Sequence, residues 1–251
     1  MNTKLVDAHC HLHEYEDGEI ENQISKLGIL VIAVSDDYAS SIRTLELSKK
    51  YDWVIPALGF HPWEITGDRL DEVEDIVNLI YENKDRVRIL GEIGLDRRFR
   101  YETIVYQTEV FKRFLEVARE LNLGATIHSV NTWHEVLLLL QRYDIPIAIF
   151  HWYTGPLELL KEIRDRGYAI SINPAVIVQE KHRKVVKEAP PDILLIESDG
   201  PYNYRSLHLG PHLLWRTIEE IAKIRNLTID EVVEVIYSNT YRIFKALRIP
   251  L

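Results

Sequence analysis

The sequence predicts an α/β protein, a (β/α)8 barrel of eight parallel strands that forms a single domain over residues 1–251. Three observations predict this fold. Short runs rich in β-branched residues recur eight times, amphipathic segments with helical spacing separate them, and no Pro-, Gly- or Ser-rich linker divides the chain. An open doubly wound sheet is the alternative, and the absence of a G-x-G-x-x-G phosphate fingerprint weakens it.

The eight apolar runs are predicted to be strands buried on both faces, because their apolar residues are continuous rather than alternating. In chain order the runs are Leu5–Ala8, Ile29–Val34, Val54–Leu58, Val87–Gly91, Ala125–His128, Ile147–His151, Tyr168–Ile172 and Ile193–Glu197. A chain of 251 residues with this alternation is ordinary for a closed TIM barrel.

Helices are predicted wherever apolar residues recur at helical spacing. These segments are Leu70–Asn83, Thr103–Leu121, Thr132–Arg142, Pro156–Asp165, Val176–Glu188, Leu213–Arg225 and Thr228–Leu247. The last two follow the eighth strand and are extra C-terminal helices. The final helix begins with Thr228-x-x-Glu231, the pattern of a capping box.

The composition excludes several classes of protein. With 30 Lys and Arg against 39 Asp and Glu, the net charge of −9 argues against a large basic surface that grips duplex nucleic acid. The single cysteine, Cys10, excludes an internal disulfide framework, and we expect it to be a small packing residue. The N-terminal segment has no apolar core of a signal peptide, and no run approaches about 18 apolar residues. We therefore expect a cytoplasmic protein with no membrane association and no obligate protein partner.

Histidine and carboxylate side chains, which can bind metals or transfer protons, lie at the ends of six predicted strands. In a parallel barrel the C-terminal strand ends meet on one rim, where active sites lie. The six strand-end motifs are Asp7-Ala8-His9-Cys10-His11, Gly59-Phe60-His61-Pro62, Gly91–Asp96, Ile127-His128-Ser129, Phe150-His151-Trp152 and Glu197–Tyr202. In the first of them, His9 and His11 are two residues apart, so in an extended segment they point the same way.

Six residues of these motifs are of types that bind divalent metal ions. They are His9, His11, Glu92, His128, His151 and Asp199. A catalytic metal takes three or four protein ligands and keeps a position for water, so six ligands suffice for two ions if Glu92 bridges them. Two ions roughly 3.5–4 Å apart can hold the attacking and leaving oxygens of a displacement, and they lower the pKa of bound water.

Each residue also has a structural interpretation. Glu92 could instead pair with Arg97 or Arg98, and Asp199, which precedes Gly-Pro, could be an ordinary turn aspartate. The convergence of six such residues on one rim favours a shared site, because carboxylates buried together without a cation are costly. The sequence therefore predicts a metal centre.

The tryptophans and remaining histidines are expected to be mostly structural. Core positions are predicted for Trp53, Trp133 and Trp215, and helix-surface positions for His134 and His182.

Four further residues are near the predicted mouth. Trp63 and Trp152 directly follow mouth histidines, and they either wall the cleft, with a base able to stack on them, or belong to the core. His208 and His212 flank Gly210-Pro211 after the last strand and could face the mouth.

Several of these motifs, in this order, resemble the TatD family of metal-dependent deoxyribonucleases, a branch of the amidohydrolase-type barrels. The resemblance extends along nearly the whole chain, through Val6–Leu12, Gly59–Pro62, Gly91–Asp96, Ile127–Ser129, His151 with Thr154-Gly155, Leu195–Tyr202 and Ser238–Thr240. It implies a barrel that hydrolyses phosphodiester bonds of DNA with two divalent ions, Zn²⁺, Mn²⁺ or Mg²⁺.

The resemblance also implies roles for individual residues. One ion is bound by His9, His11, Glu92 and Asp199. The other is bound by Glu92, His128 and His151. Asp199 is in addition the general base, so Asp199 and Glu92 are the implied catalytic residues. Substrate contacts are implied for His61, which would bond a phosphoryl oxygen or the leaving group, and for Arg205, a phosphate partner.

The chain departs from the family pattern at three places. His13 stands where the family usually has an acidic residue, and residues 151–155 read His-Trp-Tyr-Thr-Gly rather than a His-Cys-Phe-Ser/Thr-Gly stretch. After the last motif, residues 204–211 retain only Arg205 of an arginine-rich loop. These departures leave the metal ligands intact and leave the substrate open.

Three functions are therefore considered. The first is a two-metal DNase; given the acidic composition, we expect it to act on a single strand or a strand end rather than a long duplex. The second keeps the metals and hydrolyses a small ester, amide or lactone. The third is a barrel that only binds a ligand or partner, because fold alone does not fix function.

Overall fold

Eight parallel strands form one sheet that closes into a barrel in this computed structural model, which describes residues 5–250. The strands pair in the order of the chain and are β1 Val6–Cys10, β2 Leu30–Val34, β3 Val54–Leu58, β4 Ile89–Asp96, β5 Gly124–Val130, β6 Ala148–Phe150, β7 Ala169–Ile172 and β8 Leu194–Ile196. Beyond β8, the Asp199 amide donates to the carbonyl of His9 (2.9 Å), and the His11 amide donates to that of Gly200 (2.8 Å). The predicted (β/α)8 fold is confirmed.

Helices surround the strands. They are α1 Asp17–Glu19, α2 Tyr38–Lys50, α3 Glu72–Glu82, α4 Ile104–Leu121, α5 Trp133–Arg142, α6 Leu159–Asp165, α7 Glu180–Glu188, α8 Leu214–Arg225 and α9 Ile229–Leu247. The predicted capping box is present at α9, where the Thr228 and Glu231 side chains each accept a hydrogen bond from the other residue's backbone N–H. No helix within residues 5–250 is long and apolar enough to cross a membrane.

The sequence-based prediction missed the short helix α1, helix α2 and a β-hairpin. Helix α2 buries Ser40, Ser41, Thr44 and Ser48 along with its leucines, so its inward face lacks the apolar periodicity that marks the other helices. A hairpin of β9 Tyr202–Tyr204 and β10 Leu207–Leu209 follows β8. Its turn is Arg205-Ser206 and contains no glycine, so the usual hairpin signal is missing from the sequence.

Some predicted boundaries were wrong. Strand β4 continues past Gly91 to Asp96, because its later residues pair with β5 after an irregularity in the register between Leu90 and Ile93. The predicted helix Val176–Glu188 is instead a 3-10 turn at Pro174–Ile177 followed by α7.

The C-terminal helix closes the end of the barrel opposite to the predicted site. Ile243, Phe244 and Leu247 of α9 pack in one apolar cluster with the first residues of several strands, such as Val6 and Ile89. A second, larger cluster lies between the strands and the surrounding helices. Because α9 covers the starts of the strands, the strand ends remain as the open mouth.

Two predicted positions were wrong. His182 is fully buried rather than on the surface of α7, because it lies three and four residues before Val185 and Val186 on the same inward face. Trp215 is 52% exposed rather than in the core, because α8 directs Leu214 and Ile218 inward instead. Cys10 is fully buried, as predicted.

The buried His182 makes stability depend on pH. Burial, with the nearby His151, lowers the pKa of His182 to about 3 from 6.5. Between these values the unfolded chain binds a proton that the folded chain does not, so stability falls as pH falls. In urea titrations at pH 6.5 and about 4.5, we expect His182→Leu to lose about 2–3 kcal/mol less stability on acidification than the parent chain.

The matched variant for this measurement is His182→Gln, which is neutral but polar. It should show the same reduced pH dependence as His182→Leu, even if its stability is lower at both pH values. Identical pH dependence in the parent and both variants would contradict the assignment.

At Gly59 the chain passes very close to the backbone of Glu92, at the mouth of the barrel. A Cβ atom at this position would lie 2.5 Å from the carbonyl oxygen of Glu92 and 2.8 Å from its amide nitrogen. Because backbone cannot move aside cheaply, we expect Gly59→Ala to lower the free energy of unfolding by about 1–3 kcal/mol in urea denaturation. The control is Gly18→Ala, whose Cβ would have no neighbour within 4 Å. Equal stabilities of the two variants would refute this packing argument.

Candidate active site

A cavity of about 430 Å³ opens at the C-terminal ends of the strands. Its lining includes five of the six predicted metal ligands and His61, and the sixth ligand, His9, is fully buried. The predicted ligands on the lining are His11, Glu92, His128, His151 and Asp199. The barrel therefore brings all six together from five strands.

Glu92 lies at the centre, and its two carboxylate oxygens face different histidines. Oε2 is 3.1 Å from Nε2 of His9 and 3.4 Å from Nε2 of His11. Oε1 is 2.8 Å from Nδ1 of His128 and 3.0 Å from Nε2 of His151. This division matches what a carboxylate bridging two cations requires.

Asp199 belongs to the His9 side of this arrangement. Its Oδ1 is 3.8 Å from Nε2 of His9 and 3.6 Å from Nε2 of His11. The backbone bond between the Asp199 amide and the His9 carbonyl fixes this position where the barrel closes. His9 and His11 therefore lie beside both Asp199 and Oε2 of Glu92, whereas His128 and His151 lie beside Oε1.

The outer ring nitrogens are held by polar partners. Nδ1 of His11 is 3.3 Å from Asp36, and Nε2 of His128 is 3.0 Å from Asp96. An ionised carboxylate only accepts hydrogen bonds, so these nitrogens carry a proton, and the opposite nitrogens, which face Glu92, are the ones whose lone pairs a cation would take in place of a proton. Nδ1 of His9 similarly contacts the hydroxyl of Thr126 at 2.9 Å.

Glu197 is a further buried carboxylate below the cluster. Its Oε1 accepts the Trp152 amide at 2.7 Å and lies 3.6 Å from Nδ1 of His151. Its Oε2 accepts the hydroxyl of Ser171 at 2.5 Å. Glu197 is therefore placed to orient His151.

Sequence reasoning did not assign the three carboxylates that lie behind the histidines. Asp96 and Glu197 lie inside the motifs that it singled out, but nothing in the sequence shows that they face histidines. Asp36 follows β2 in Ser35-Asp36-Asp37, and its place at a strand end was the only available signal.

The charges of the cluster are strongly coupled. Burial by itself raises the pKa of Glu92, but the imidazoles of His151, His61 and His9 hold it well below its ordinary value. Burial and His151 lower the pKa of His9, whereas Glu92 and Glu197 outweigh burial at His151 and raise its pKa well above the ordinary value. The rings of His9 and His151 stack with centroids 4.1 Å apart. Within this pair, His151 therefore holds its proton more strongly than His9 does.

His61 differs from the other mouth histidines. Its Nδ1 accepts a hydrogen bond from the Trp63 amide at 3.1 Å, so the neutral ring carries its proton on Nε2. That Nε2 is 3.4 Å from Oε1 of Glu92 and faces the cavity lining. His61 therefore presents a donor N–H rather than a lone pair, which suits hydrogen bonding better than metal ligation.

Other predicted residues fall outside this cluster. Within residues 5–250, the cavity lining does not include Arg205, His208 or His212. Arg205 is exposed at the turn of the β9–β10 hairpin, where its guanidinium donates to the carbonyl of Val178 at 2.9 Å. Its predicted phosphate contact remains a prediction.

Among residues 5–250, Glu92 forms no ion pair with an arginine, so the alternative pairing is not observed. Arg97 forms its ion pair with Glu135, and Arg98 lies on the rim of the cavity. His13, which replaces the family's acidic residue, places Nε2 3.1 Å from Asp36. Both Trp63 and Trp152 line the cavity, so they wall the cleft.

Comparisons with known proteins agree with the geometry. Residues 6–245 match the family described as TatD related DNase. The chain is 34% identical over 252 residues to an uncharacterized metal-dependent hydrolase of Methanocaldococcus jannaschii, covering 97% of this chain and 98% of that protein. It is 28% identical over 268 residues to the human deoxyribonuclease TATDN3, covering 97% and 96%.

A solved structure shares the fold. The TatD homologue YjjV from Escherichia coli superposes with a TM-score of 0.84 at 23% identity, covering 98% of this chain and 99% of that one. The chain therefore belongs to the TatD related DNase family of metal-dependent hydrolases, as its sequence motifs predict.

Proposed function

We propose that this chain is a TatD-type deoxyribonuclease that hydrolyses phosphodiester bonds with two divalent ions at the barrel mouth. The observation that carries the proposal is the division of Glu92, whose two oxygens face separate groups of imidazoles. Family membership and a relative named as a deoxyribonuclease support DNA as the substrate. All the proposed ligands come from one chain, so the site needs no partner subunit.

The donor set fits divalent cations. His9, His11, Asp199 and Oε2 of Glu92 would hold one ion, and His128, His151 and Oε1 of Glu92 the other. Neutral imidazoles favour Zn²⁺ or Mn²⁺ over Mg²⁺. When bound, such ions supply an activated water and stabilise the charge that develops on the phosphoryl oxygens.

The chain's own side chains complete the chemistry. Asp199 lines the cavity and accepts the proton of the attacking water as general base. His61 donates its Nε2–H to a phosphoryl oxygen or to the leaving oxygen, because the Trp63 amide fixes its proton on that nitrogen. The two residues therefore have separate roles: Asp199 removes a proton, and His61 stabilises negative charge.

The substrate form follows from the charge and shape of the mouth. A net charge of −9 does not favour extended contact with the backbone of duplex DNA. The cavity has the volume of a small-ligand pocket. A single strand or a strand end reaches such a mouth, because its backbone is free to bend into the cavity.

A second function is favoured by one observation. Arg98 is the only Lys or Arg on the cavity lining among residues 5–250, while Arg205 is bonded to Val178. A mouth with one basic side chain also suits a small ester, amide or lactone. A panel of labelled oligonucleotides against generic ester and amide substrates separates the two functions.

Replacement of Glu92 tests the metal centre. Glu92→Ala removes the group that faces both sets of imidazoles, so we expect the bound metal to be lost and kcat/KM on a single-stranded oligonucleotide to fall about a thousandfold or more. Metal content is measured by elemental analysis and folding by circular dichroism. The matched variant Glu92→Gln keeps the shape and should lose activity similarly; unchanged hydrolysis in either variant would sink the proposal.

A comparison of His61 with His128 separates substrate contact from metal ligation. We expect His61→Gln to retain both ions but to lower kcat about a hundredfold, because one donor to the developing charge is lost. His128→Gln should lose metal, because its ring nitrogen faces Glu92 at 2.8 Å. If His61→Gln loses metal as His128→Gln does, His61 is a ligand and its proposed role is wrong.

A further inference from the structure

Two groups of aromatic side chains stand on the cavity lining, and the metal-centre residues do not account for them. The first, here called the hairpin wall, consists of Trp152, Tyr202 and Tyr204. The second, here called the arginine wall, consists of Trp63, Arg98 and Phe99.

The hairpin wall is built around Trp152. Its ring meets Tyr202 with centroids 5.9 Å apart and Tyr204 at 5.0 Å, both edge to face. Gln179 fixes the arrangement, because its Oε1 accepts the indole N–H at 3.0 Å and its Nε2 donates to the Tyr204 hydroxyl at 3.0 Å. Arg205 ties the hairpin turn to the neighbouring carbonyl of Val178, so this wall is held in place from both ends.

The arginine wall carries the positive charge. Trp63 donates its indole N–H to Asp96 at 2.6 Å and meets the Phe99 ring edge to face at 5.7 Å. The Arg98 guanidinium lies 4.9 Å from the centre of the Phe99 ring. Its neighbours Arg97 and Arg100 pair with glutamates, whereas Arg98 has no carboxylate within ion-pair distance among residues 5–250.

The two walls follow strands on different sides of the barrel mouth. Trp63 follows β3, and Arg98 follows β4. Trp152 follows β6, and Tyr202 follows β8. In a ring of eight strands these positions are separated by β5 on one side and by β1 and β2 on the other, and Glu92 lines the same cavity as both walls.

We propose that the hairpin wall binds an unpaired nucleobase next to the scissile phosphate, while Arg98 holds a backbone phosphate on the opposite side. The inference rests on the proposed function and adds to it how the strand lies. Base stacking on an aromatic face is tolerant of sequence and is a main source of single-strand affinity. A guanidinium without a carboxylate partner is suited to a phosphate.

Gln179 adds a polar contact at the edge of this subsite. Its amide lines the cavity, and each of its two polar atoms makes one bond to the wall. An amide oxygen accepts two hydrogen bonds and an amide nitrogen donates two, so each atom keeps one for the edge of a base. The subsite therefore holds a base by stacking and also offers it an acceptor and a donor.

The test compares three variants on matched oligonucleotides. Tyr202 is 40% exposed, so Tyr202→Ala should fold, and Tyr202→Phe keeps the ring. Tyr241→Ala, at an exposed position on α9, is the control. The substrates are a short single strand and the same strand with abasic sites beside the scissile bond. We expect Tyr202→Ala to lower kcat/KM about tenfold on the normal strand only, and Tyr202→Phe and Tyr241→Ala to match the parent.

Arg98→Gln provides the complementary result. Because it removes a phosphate contact, it should lower kcat/KM equally on the normal and abasic strands, and it should make kcat/KM less dependent on salt concentration. Equal losses on both strands in Tyr202→Ala, or no loss at all, would overturn the nucleobase subsite. A loss confined to the normal strand in Arg98→Gln would overturn the phosphate role.

A binding measurement separates this inference from the proposed function. A single strand that contains 2-aminopurine loses fluorescence when that base stacks on a ring, and this requires no hydrolysis. Quenching by the parent chain and by Tyr202→Phe, but not by Tyr202→Ala, supports the subsite even if no strand is cleaved. Equal quenching by all three contradicts it, even if DNA is hydrolysed.

Discussion

The structure of the mouth depends on one buried carboxylate, Glu92, because each of its two oxygens needs a positive charge beside it. Glu92 is almost fully buried, and His11 and His128, whose outer ring nitrogens contact Asp36 and Asp96, turn their other ring nitrogens toward it. Lone pairs facing a carboxylate in a site with little water repel unless a proton or a cation lies between them. The mouth is therefore a place where protons and divalent ions compete, and binding of metal releases protons.

The barrel makes this arrangement rigid. Closure between β8 and β1 places Asp199 beside His9 through a backbone bond, and Gly59 allows the chain to approach the backbone of Glu92. Helix α9 closes the opposite end, so the polar groups lie on the open rim. Burying these charged groups costs free energy of folding, and apolar packing elsewhere in the barrel offsets it. Stability and chemistry therefore depend on different parts of the fold.

The proposed substrate contacts lie in the loops beyond the strands. The candidate metal ligands lie at or just after the strand ends, whereas Trp152 and Tyr204 occupy positions where this chain departs from the family pattern, and Arg98 lies in the loop after β4. Helix α2 and the β9–β10 hairpin, both missed from the sequence, illustrate the same point. Their residues carry weak local signals, because the contacts that stabilise them come from other parts of the chain.

The sequence by itself determined the barrel, the rim that carries the site and the identity of the candidate ligands. These follow from continuous apolar runs and from the residue at each strand end, which are local properties. Only the tertiary structure decided that Asp36 and Glu197 stand behind histidines, that His182 is buried, and that the oxygens of Glu92 face different partners. These are distances between residues far apart in the chain, and the closure of the barrel sets them.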